Sequence, residues 1–170
     1  MLEVDKTKVI HSTTSYVSFL NYEIKCIPTK KTCDIKNQLV ESTPKVSINA
    51  PISRVVENLK KEGFLNSKNM PTRNGRYIND NLWNIIDNYK MTEQKILNYY
   101  NMVNNYGRLA TRVHYCLKYS CALTICSKMK LKSIKRVFKK YGKNFTITVG
   151  DKSISYPSVS CKKPKTSKYN

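Results

Sequence analysis

The sequence predicts a mainly α fold: a helical bundle with a small N-terminal β element and a flexible basic C-terminal tail. Apolar residues recur at three- and four-residue intervals through the middle of the chain, which is the pattern of amphipathic helices. The 170 residues suit about one domain, and 40% of them are hydrophobic, which is enough for a packed core.

The N-terminal part favours extended structure. Residues 8–11 and 17–24 are short runs typical of strands, separated by a polar Ser and Thr cluster. Two strands alone are marginally stable in water, so we expect them to pack on another element or to be the remnant of a larger sheet. Residues 28–49 are polar with few apolar positions, which predicts a linker.

The central part predicts helices. Pro51 suits a first helical position and Gly63 a left-handed stop, so a helix is expected over 51–62. An exposed loop is expected over 66–81. Four further helices are predicted over 82–89, from Thr92 to about 105, over 108–127 and over 128–141, the last ending at Gly142. A short strand over 146–149 and a mobile tail from Asp151 complete the chain.

Charge is the strongest functional signal. Thirty-one Lys and Arg against eleven Asp and Glu give a net charge of +20, which indicates a polyanionic partner. Between Gln94 and Gly150 there is no acidic residue, whereas twelve cations occur. They are Lys95, Arg108, Arg112, Lys118, Lys128, Lys130, Lys132, Lys135, Arg136, Lys139, Lys140 and Lys143. A solvated helix face normally mixes both signs, so this run favours polyanion binding.

The helix over 108–127 has two distinct sides at 100° per residue. Its core side comprises Leu109, Val113, Cys116, Leu117, Ser120 and Thr124. Its other side comprises Arg108, Arg112, Tyr115 and Tyr119. Guanidinium groups suit phosphates, and tyrosines suit stacking on a base or ribose. The alternative is packing against a neighbouring helix, with the arginine stems lying along it.

Two further features concern the basic region. Lys128–Lys143 carries eight cations in sixteen residues, which we expect on both faces of a short helix, where they would give salt-sensitive phosphate contacts. His114 is expected to be structural or a polar contact on the helix flank. It has no paired acid or nucleophile at a catalytic spacing.

Several classes of protein are disfavoured. The sequence shows no phosphate-binding glycine loop, no His-Glu-x-x-His and no adjacent Asp pair. The six cysteines lack zinc-site spacing and are expected to be reduced core thiols, so no metal or cofactor is expected. No apolar run is long enough for a membrane span, and the N-terminus resembles no import signal. Abundant Lys, Asn, Tyr and Ile hint at an AT-rich organellar genome.

Four segments resemble the maturase domain, called domain X, of group II intron reverse transcriptases. They are Tyr99-Tyr-Asn-Met-Val-Asn-Asn-Tyr-Gly-Arg-Leu, His114-Tyr-Cys-Leu-Lys-Tyr-Ser-Cys-Ala-Leu-Thr, Ser127-Lys-Met-Lys-Leu-Lys and Val137-Phe-Lys-Lys-Tyr-Gly-Lys-Asn. Ala50-Pro-Ile, Leu59-Lys-Lys-Glu-Gly-Phe and Pro71-Thr look like the start of the same domain. Asp5-Lys-Thr-Lys-Val-Ile-His and Phe19-Leu-Asn-Tyr-Glu-Ile are similar to the last block of the polymerase palm, with Asn21 where the family usually has Gly.

The resemblance implies four parts: a palm remnant over 1–27, a linker over 28–49, domain X over 50–145 and a basic tail over 146–170. It also implies a thumb-like bundle that binds intron RNA. The palm's Tyr-x-Asp-Asp motif is missing from the chain, so the resemblance implies no polymerase activity, and Mg²⁺ would belong to the RNA. The expected RNA contacts are Arg108, Arg112, His114, Tyr115, Lys118, Tyr119, Lys128, Lys130, Lys132, Lys135, Arg136, Lys139, Lys140 and Lys143.

Three hypotheses follow from the residues and the resemblance. The first is an organellar maturase, mitochondrial or alternatively chloroplastic, that binds a group II intron or other structured RNA and stabilises its active fold. The second is the thumb of a split reverse transcriptase that acts with a separate palm. The third is a structural organellar RNA-binding protein, for instance one attached to a ribosome, or a decayed fragment with no remaining function. None of the three requires a DNA or membrane partner, and the oligomeric state is left open.

Overall fold

The structure is a computed structural model that describes residues 11, 13–28, 31–33, 39–41, 45–149 and 151–158. These residues form α-helices and short antiparallel strands. The predicted mainly α class with a small N-terminal sheet is confirmed at this level. The chain divides into two compact units, Met1–Pro51 with Met102–Asn105, and Ile52–Asn101 with Tyr106–Asn170.

The first unit contains an antiparallel sheet of β1 (Val17–Phe19), β2 (Tyr22–Ile27) and β5 (Lys45–Asn49), in the order β1-β2-β5. Leu20 and Asn21 join β1 to β2 with φ of 46° and 63°. A two-residue turn with both φ positive matches the twist of a hairpin, and Asn tolerates this conformation as Gly does. The single strand predicted over 17–24 is therefore wrong, because the turn divides it.

The segment predicted to be a linker contains three strands. They are β3 (Lys31–Cys33), which pairs with β4 (Leu39–Glu41), and β5. The backbone of Ile48 in β5 also pairs with Asn104: Ile48 N donates to Asn104 Oδ1 at 3.0 Å, and Asn104 N donates to Ile48 O at 2.7 Å. This pairing spans 56 residues, so a polar local composition does not reveal it. Of the strand predicted over 8–11, residues 8–10 lie outside the described residues and His11 is in no strand.

The second unit begins with α1 (Ile52–Lys61), which confirms the predicted helix. Its end has the hydrogen bonds of a Schellman motif: Gly63 N donates to Lys60 O and Phe64 N to Leu59 O, both at 3.0 Å. Gly63 has a φ of 83°, which glycine adopts without steric cost. The stop predicted at Gly63 is confirmed.

A single long helix, α2 (Leu82–Tyr99), replaces the two helices predicted around residue 90. Asn81 caps its start, its side chain accepting a bond of 2.7 Å from Asn84 N. Thr92, the residue predicted to begin a new helix, donates its hydroxyl to Asn88 O at 2.8 Å. The prediction was wrong because this bond satisfies the threonine inside a continuous helix.

Two helices follow, α3 (Tyr106–Lys128) and α4 (Ile134–Tyr141). Leu131 N donates to Cys126 O at 2.9 Å, and Lys130 has a φ of 49°. A left-handed residue therefore ends α3 just after Lys128, and α4 begins later than predicted because this stop is a lysine instead of a glycine. Gly142, with a φ of 74°, ends α4 as predicted.

A hairpin of β6 (Ile147–Val149) and β7 (Lys152–Ile154) follows α4, and β7 lies against α2. The first strand confirms the expected short strand. The second contradicts a mobile tail from Asp151, because Ile154 and Tyr156 are buried in the core. Tyr156 N also donates to Asn144 O at 2.6 Å. The rest of the predicted basic tail, residues 159–170, lies outside the described residues.

The core of the second unit lies where α2 and α4 pack against α3. Large buried side chains from all three helices and the hairpin fill it. They include Ile85, Ile86, Tyr89, Leu109, Leu117, Ile125, Val137, Phe145, Ile154 and Tyr156. All six residues predicted on the core side of the long helix are buried, which confirms the interpretation of that face.

Candidate nucleic-acid interface

One face of α3 carries two arginines followed by two tyrosines. We call Arg108, Arg112, Tyr115 and Tyr119 the exposed stripe, since Arg112 is half-buried and the others are exposed. The Arg112 guanidinium carbon lies 5.9 Å from the centroid of the Tyr115 ring. The Tyr115 and Tyr119 ring centroids are 4.8 Å apart. These contacts produce a continuous guanidinium–aromatic surface at the spacing predicted from the sequence.

A loop before α2 contacts the same helix. Arg112 Nη2 donates to Asn69 O at 3.3 Å. The Asn66 side chain holds that turn by accepting bonds from Lys68 N at 2.9 Å and from Met70 N at 3.0 Å. The guanidinium of Arg112 is therefore held between the loop and Tyr115, which limits the conformations that it can adopt.

Buried hydroxyl groups hold the next part of the loop on α3. Ser120 Oγ donates to Thr72 O at 2.6 Å, and Asn74 N donates to Thr124 Oγ1 at 3.0 Å. The Tyr89 hydroxyl of α2 lies 3.0 Å from Ser120 Oγ and 2.8 Å from Thr124 Oγ1. Burial raises the pKa of Tyr89, so this hydroxyl keeps its proton. The network fixes the loop, α2 and α3 together without any charged group.

A surface depression of about 630 Å³ lies along the first half of α3. Gly107, Arg108, Thr111, Arg112 and Tyr115 line it. Small-ligand sites typically have volumes of roughly 300–1,000 Å³. Both arginines and one tyrosine of the exposed stripe therefore border a space large enough for a small molecule or one nucleotide.

The helix α4 is strongly amphipathic. Val137 is buried and Phe138 half-buried, whereas Lys135, Arg136, Lys139 and Lys140 are all exposed. The expectation that cations occupy both faces of this helix was wrong, because the apolar face packs on α3. The four cations instead share one exposed face, which concentrates positive charge.

Aromatic contacts connect the exposed stripe with α4 and the hairpin. The Tyr119 ring centroid lies 6.2 Å from that of Phe138, and Phe138 lies 5.1 Å from Phe145. Lys118, next to Tyr119, is half-buried, and its pKa is lowered by desolvation and then by the charge of Lys143. Cations on α3 and after α4 are thus close enough to repel one another.

His114 is placed in the core, unlike the other expected contacts. Its Nδ1 lies 2.9 Å from Glu93 Oε1, and the Tyr156 hydroxyl donates to Glu93 Oε2. Glu93 and His114 have exposed fractions of 3% and 9%. The expectation that His114 contacts RNA is therefore wrong, because its ring is buried and lies against Glu93. The structural interpretation of this histidine is the one that the geometry supports.

The remaining expected contacts lie at the end of α3 and beyond it. Lys130, Lys132 and Lys143 are exposed. Lys128 is half-buried and donates from Nζ to Ile78 O at 3.3 Å. These side chains place further positive charge after the exposed stripe, and Lys128 also fastens the loop to α3.

Two exposed arginines of the loop were not among the expected contacts. Arg73 donates from Nη1 to Ser127 Oγ at 3.2 Å, and Arg76 follows it in the 3₁₀ turn Gly75–Tyr77. The sequence contains a signal for them, because residues 63–79 have no acidic residue. Their proximity to α3 depends on the buried hydroxyl network, which no local pattern reveals.

The described residues offer binding groups more readily than catalytic ones. In them, no three His, Cys, Asp or Glu side chains cluster as metal ligands. Burial raises the pKa of Cys116 and of Cys121, so these two thiols are protonated and unreactive. No helix in the described ranges is both long and apolar enough to cross a membrane.

A helical unit with clustered exposed cations beside two tyrosines whose rings are in contact defines a candidate nucleic-acid-binding protein. The chain belongs to the type II intron maturase family, which it matches over residues 43–168. The resemblance noted in the sequence is therefore confirmed.

Individual relatives agree with this family. The chain is 38% identical over 162 residues to the COX1/OXI3 intron 1 protein of Saccharomyces cerevisiae, which covers 89% of the chain and 19% of that relative. It is 34% identical over 150 residues to the COX1/OXI3 intron 2 protein of the same yeast, covering 84% and 17%. Identity to Maturase K of Physcomitrium patens is 30% over 135 residues, covering 75% and 26%. The chain thus spans about a fifth of the length of the two yeast relatives.

Proposed function

We propose that this protein is a splicing factor that binds a group II intron RNA and stabilises its active fold. Membership of the type II intron maturase family carries the proposal. The acid-free segment from Gln94 to Gly150, with its twelve cations, supports it independently, because a compact RNA concentrates phosphate charge that such a surface can neutralise.

The proposed interaction has two components. The four exposed cations of α4, with Lys130, Lys132 and Lys143, contact phosphates and supply affinity without sequence choice. The exposed stripe adds stacking planes and guanidinium forks, which respond to the shape of the RNA. Binding the folded RNA better than its open forms shifts the RNA towards the active fold, since a ligand stabilises the state that it prefers.

We further propose that the RNA supplies the reaction chemistry and that the protein contributes no catalytic group. The matched region is a splicing-factor region in the family. The proposed protein needs no cofactor of its own, and Mg²⁺ enters only with the RNA. It needs neither DNA nor a membrane as a partner.

A mitochondrion is the proposed location, with a chloroplast as the alternative. The chain is similar to COX1/OXI3 intron proteins of one yeast and, at 27% identity over 143 residues, to a 91 kDa protein in the cob intron of Schizosaccharomyces pombe. The abundance of Lys, Asn, Tyr and Ile agrees with an AT-rich organellar genome.

Ultraviolet crosslinking in the organelle, followed by sequencing of the bound RNA, tests the proposal. Enrichment of one group II intron is the expected result. A spread over ribosomal RNA would overturn it in favour of a ribosome-associated protein. The double variant Arg112→Glu/Tyr115→Ala is expected to lose the enriched intron while keeping the helical circular dichroism spectrum. Unchanged enrichment would contradict the assignment of the exposed stripe.

A second candidate is the thumb of a split reverse transcriptase. The helices α2, α3 and α4 of the second unit, which the resemblance likens to a polymerase thumb, favour it. On this hypothesis a separate palm protein with a Tyr-x-Asp-Asp motif co-purifies with the chain from the organelle. Intron enrichment in the absence of such a protein would contradict this candidate.

A further inference from the structure

The depression on α3 runs from an arginine to an aromatic ring. Arg108 lies near its start, and Arg112 lies four residues further on, which is one helical turn and about 6 Å along the axis. Tyr115 lies at the other end, where its ring contacts Arg112 and Tyr119. A nucleotide has the same polarity, with an anionic phosphate at one end and a flat base at the other.

Only an unpaired base would be able to stack on the ring of Tyr115. In an A-form helix, neighbouring pairs cover both faces of every base, and sequence-specific proteins instead stack splayed-out bases on aromatic rings or guanidinium planes. A depression of about 630 Å³ is ample for one such nucleotide and cannot enclose a helix. The shape therefore favours a single extruded nucleotide.

We propose that this depression binds one unpaired nucleotide of an RNA, with its phosphate on Arg108 and Arg112 and its base stacked on Tyr115, beside a base-paired stem whose phosphates contact the cations of α4. The inference rests on the proposed function and specifies the RNA element recognised: a stem interrupted by, or ending in, an unpaired nucleotide.

The contact between α3 and α4 supports a composite site. The Tyr119 ring contacts that of Tyr115 and also that of Phe138 in α4, the latter edge-to-face with 6.2 Å between the ring centroids. The other face of α4 carries four exposed cations: Lys135, Arg136, Lys139 and Lys140. The Nζ of Lys140 lies 5.2 Å from the centroid of the Tyr141 ring. Stacking and phosphate contact thus come from adjacent helices of one unit.

Binding of the full chain to two labelled hairpins tests the proposal. One hairpin carries a single bulged 2-aminopurine, and the other has the same stem without the bulge. We expect the bulged hairpin to bind about tenfold more tightly, as expected for one stacked base. The 2-aminopurine fluorescence is expected to fall on binding, because the base stacks on a ring. This second readout needs no protein variant.

Substitutions at Tyr115 locate the site. Tyr115→Leu is expected to reduce affinity for the bulged hairpin to that for the paired one and to leave the paired hairpin unaffected. Tyr115→Phe keeps the ring and is expected to keep the preference. Tyr99→Leu, at an exposed tyrosine that ends α2, is the matched control and should change neither affinity.

Each failure has a distinct meaning. Equal affinity for the two hairpins overturns the inference and leaves the proposed function standing. A preference that survives Tyr115→Leu overturns the location. Full displacement of the bulged hairpin by adenosine monophosphate would indicate a site for free nucleotides and would overturn the RNA assignment. If neither hairpin binds at physiological salt, the proposed function fails and the inference fails with it.

Discussion

Glu93 connects three parts of the chain in the interior of the second unit. Its carboxylate accepts a hydrogen bond from Tyr156 and lies 2.9 Å from His114 Nδ1, so it joins α2, α3 and the segment after β7. A carboxylate that is 3% exposed is stable only when such partners replace its water. Glu93, His114 and Tyr156 thus form a buried polar cluster inside the apolar core.

Glu93→Gln is expected to lower the free energy of unfolding by about 2–3 kcal/mol, because hydrogen bonds to a charged group are replaced by weaker ones. Urea unfolding followed by circular dichroism measures this change. Glu57→Gln, at an exposed position of α1, is the control and should stay within about 0.5 kcal/mol of the parent. Equal effects of the two substitutions would show that the buried cluster adds no stability.

The lowered pKa of Lys118 predicts that RNA binding depends on pH. Its pKa lies below the ordinary 10.5 because of desolvation and then Lys143. Phosphates favour the charged amine, so binding takes up a proton, and affinity should fall as pH rises from the lowered pKa towards 10.5. In the free protein the unfolded chain binds more protons over this window, so stability should rise with pH.

Lys118→Arg isolates this effect, since arginine stays charged throughout the window. Affinity for a 2′-O-methyl RNA, which withstands alkaline pH, is expected to fall less steeply in the variant than in the parent. Parallel pH profiles would contradict a role for Lys118 in the interface.

At the scale of elements, the sequence predicted helices well where local signals determine them. Gly63 and Gly142 marked two helix ends correctly, and the core face of α3 followed from its periodicity. The start of α4 was predicted too early because Lys130, between the two helices, adopts the left-handed conformation that normally signals glycine. The burial of Tyr156 was missed because its partner, Glu93, lies 63 residues away.

The candidate site shows the same division. The helical periodicity of α3, at 100° per residue, was enough to predict the exposed stripe. The loop arginines and the burial of His114 depend on tertiary contacts, such as that between Asn74 N and Thr124 Oγ1, 50 residues apart. Helical periodicity predicts which residues lie on the same face of a helix. Which other segment of the chain that face contacts depends on tertiary packing, which the local sequence does not reveal.

Truncation tests the contribution of the C-terminal hairpin. A chain ending at Asn144 loses three buried side chains, Phe145, Ile154 and Tyr156. Each contributes about 1.5–3 kcal/mol, and the sum approaches the total stability of many domains. We expect this chain to lose cooperative thermal unfolding. A chain ending at Ser158 keeps these contacts and should unfold in one transition; similar melting of both chains would contradict the assignment.

At the scale of the whole molecule, the net charge of +20 dominates. Such a charge speeds encounter with a polyanion and makes affinity sensitive to salt. It also opposes compaction through self-repulsion; the pKa of Lys118, lowered first by desolvation, is lowered further by the charge of Lys143. Added salt should therefore weaken RNA binding while relieving repulsion within the free protein.

Neutralising the exposed face of α4 tests the phosphate contacts. Replacing Lys135, Arg136, Lys139 and Lys140 with Gln should reduce the slope of log K against log salt by about 3, because each phosphate contact contributes about 0.7–0.9. Binding measured across a potassium chloride series gives the slope. Lys60→Gln/Lys61→Gln, in the last turn of α1, is the control and should leave it unchanged. An unaltered slope in the α4 variant would exclude this face as a phosphate contact.

The two buried thiols of α3 make this helix a reporter of its own opening. Cys116 and Cys121 are 0% exposed, whereas Cys26 and Cys126 are partly accessible. When alkylation is followed separately at each cysteine by peptide mass spectrometry, Cys26 and Cys126 should therefore be labelled quickly, and Cys116 and Cys121 only during transient exposure of the α3 core. The rate at which Cys116 and Cys121 are alkylated, compared with the rate at Cys26 and Cys126, then reports how often the core side of α3 is exposed. Slower labelling of Cys116 and Cys121 with RNA bound would show that the RNA makes this local opening rarer. The measurement uses the native cysteines and needs no substitution.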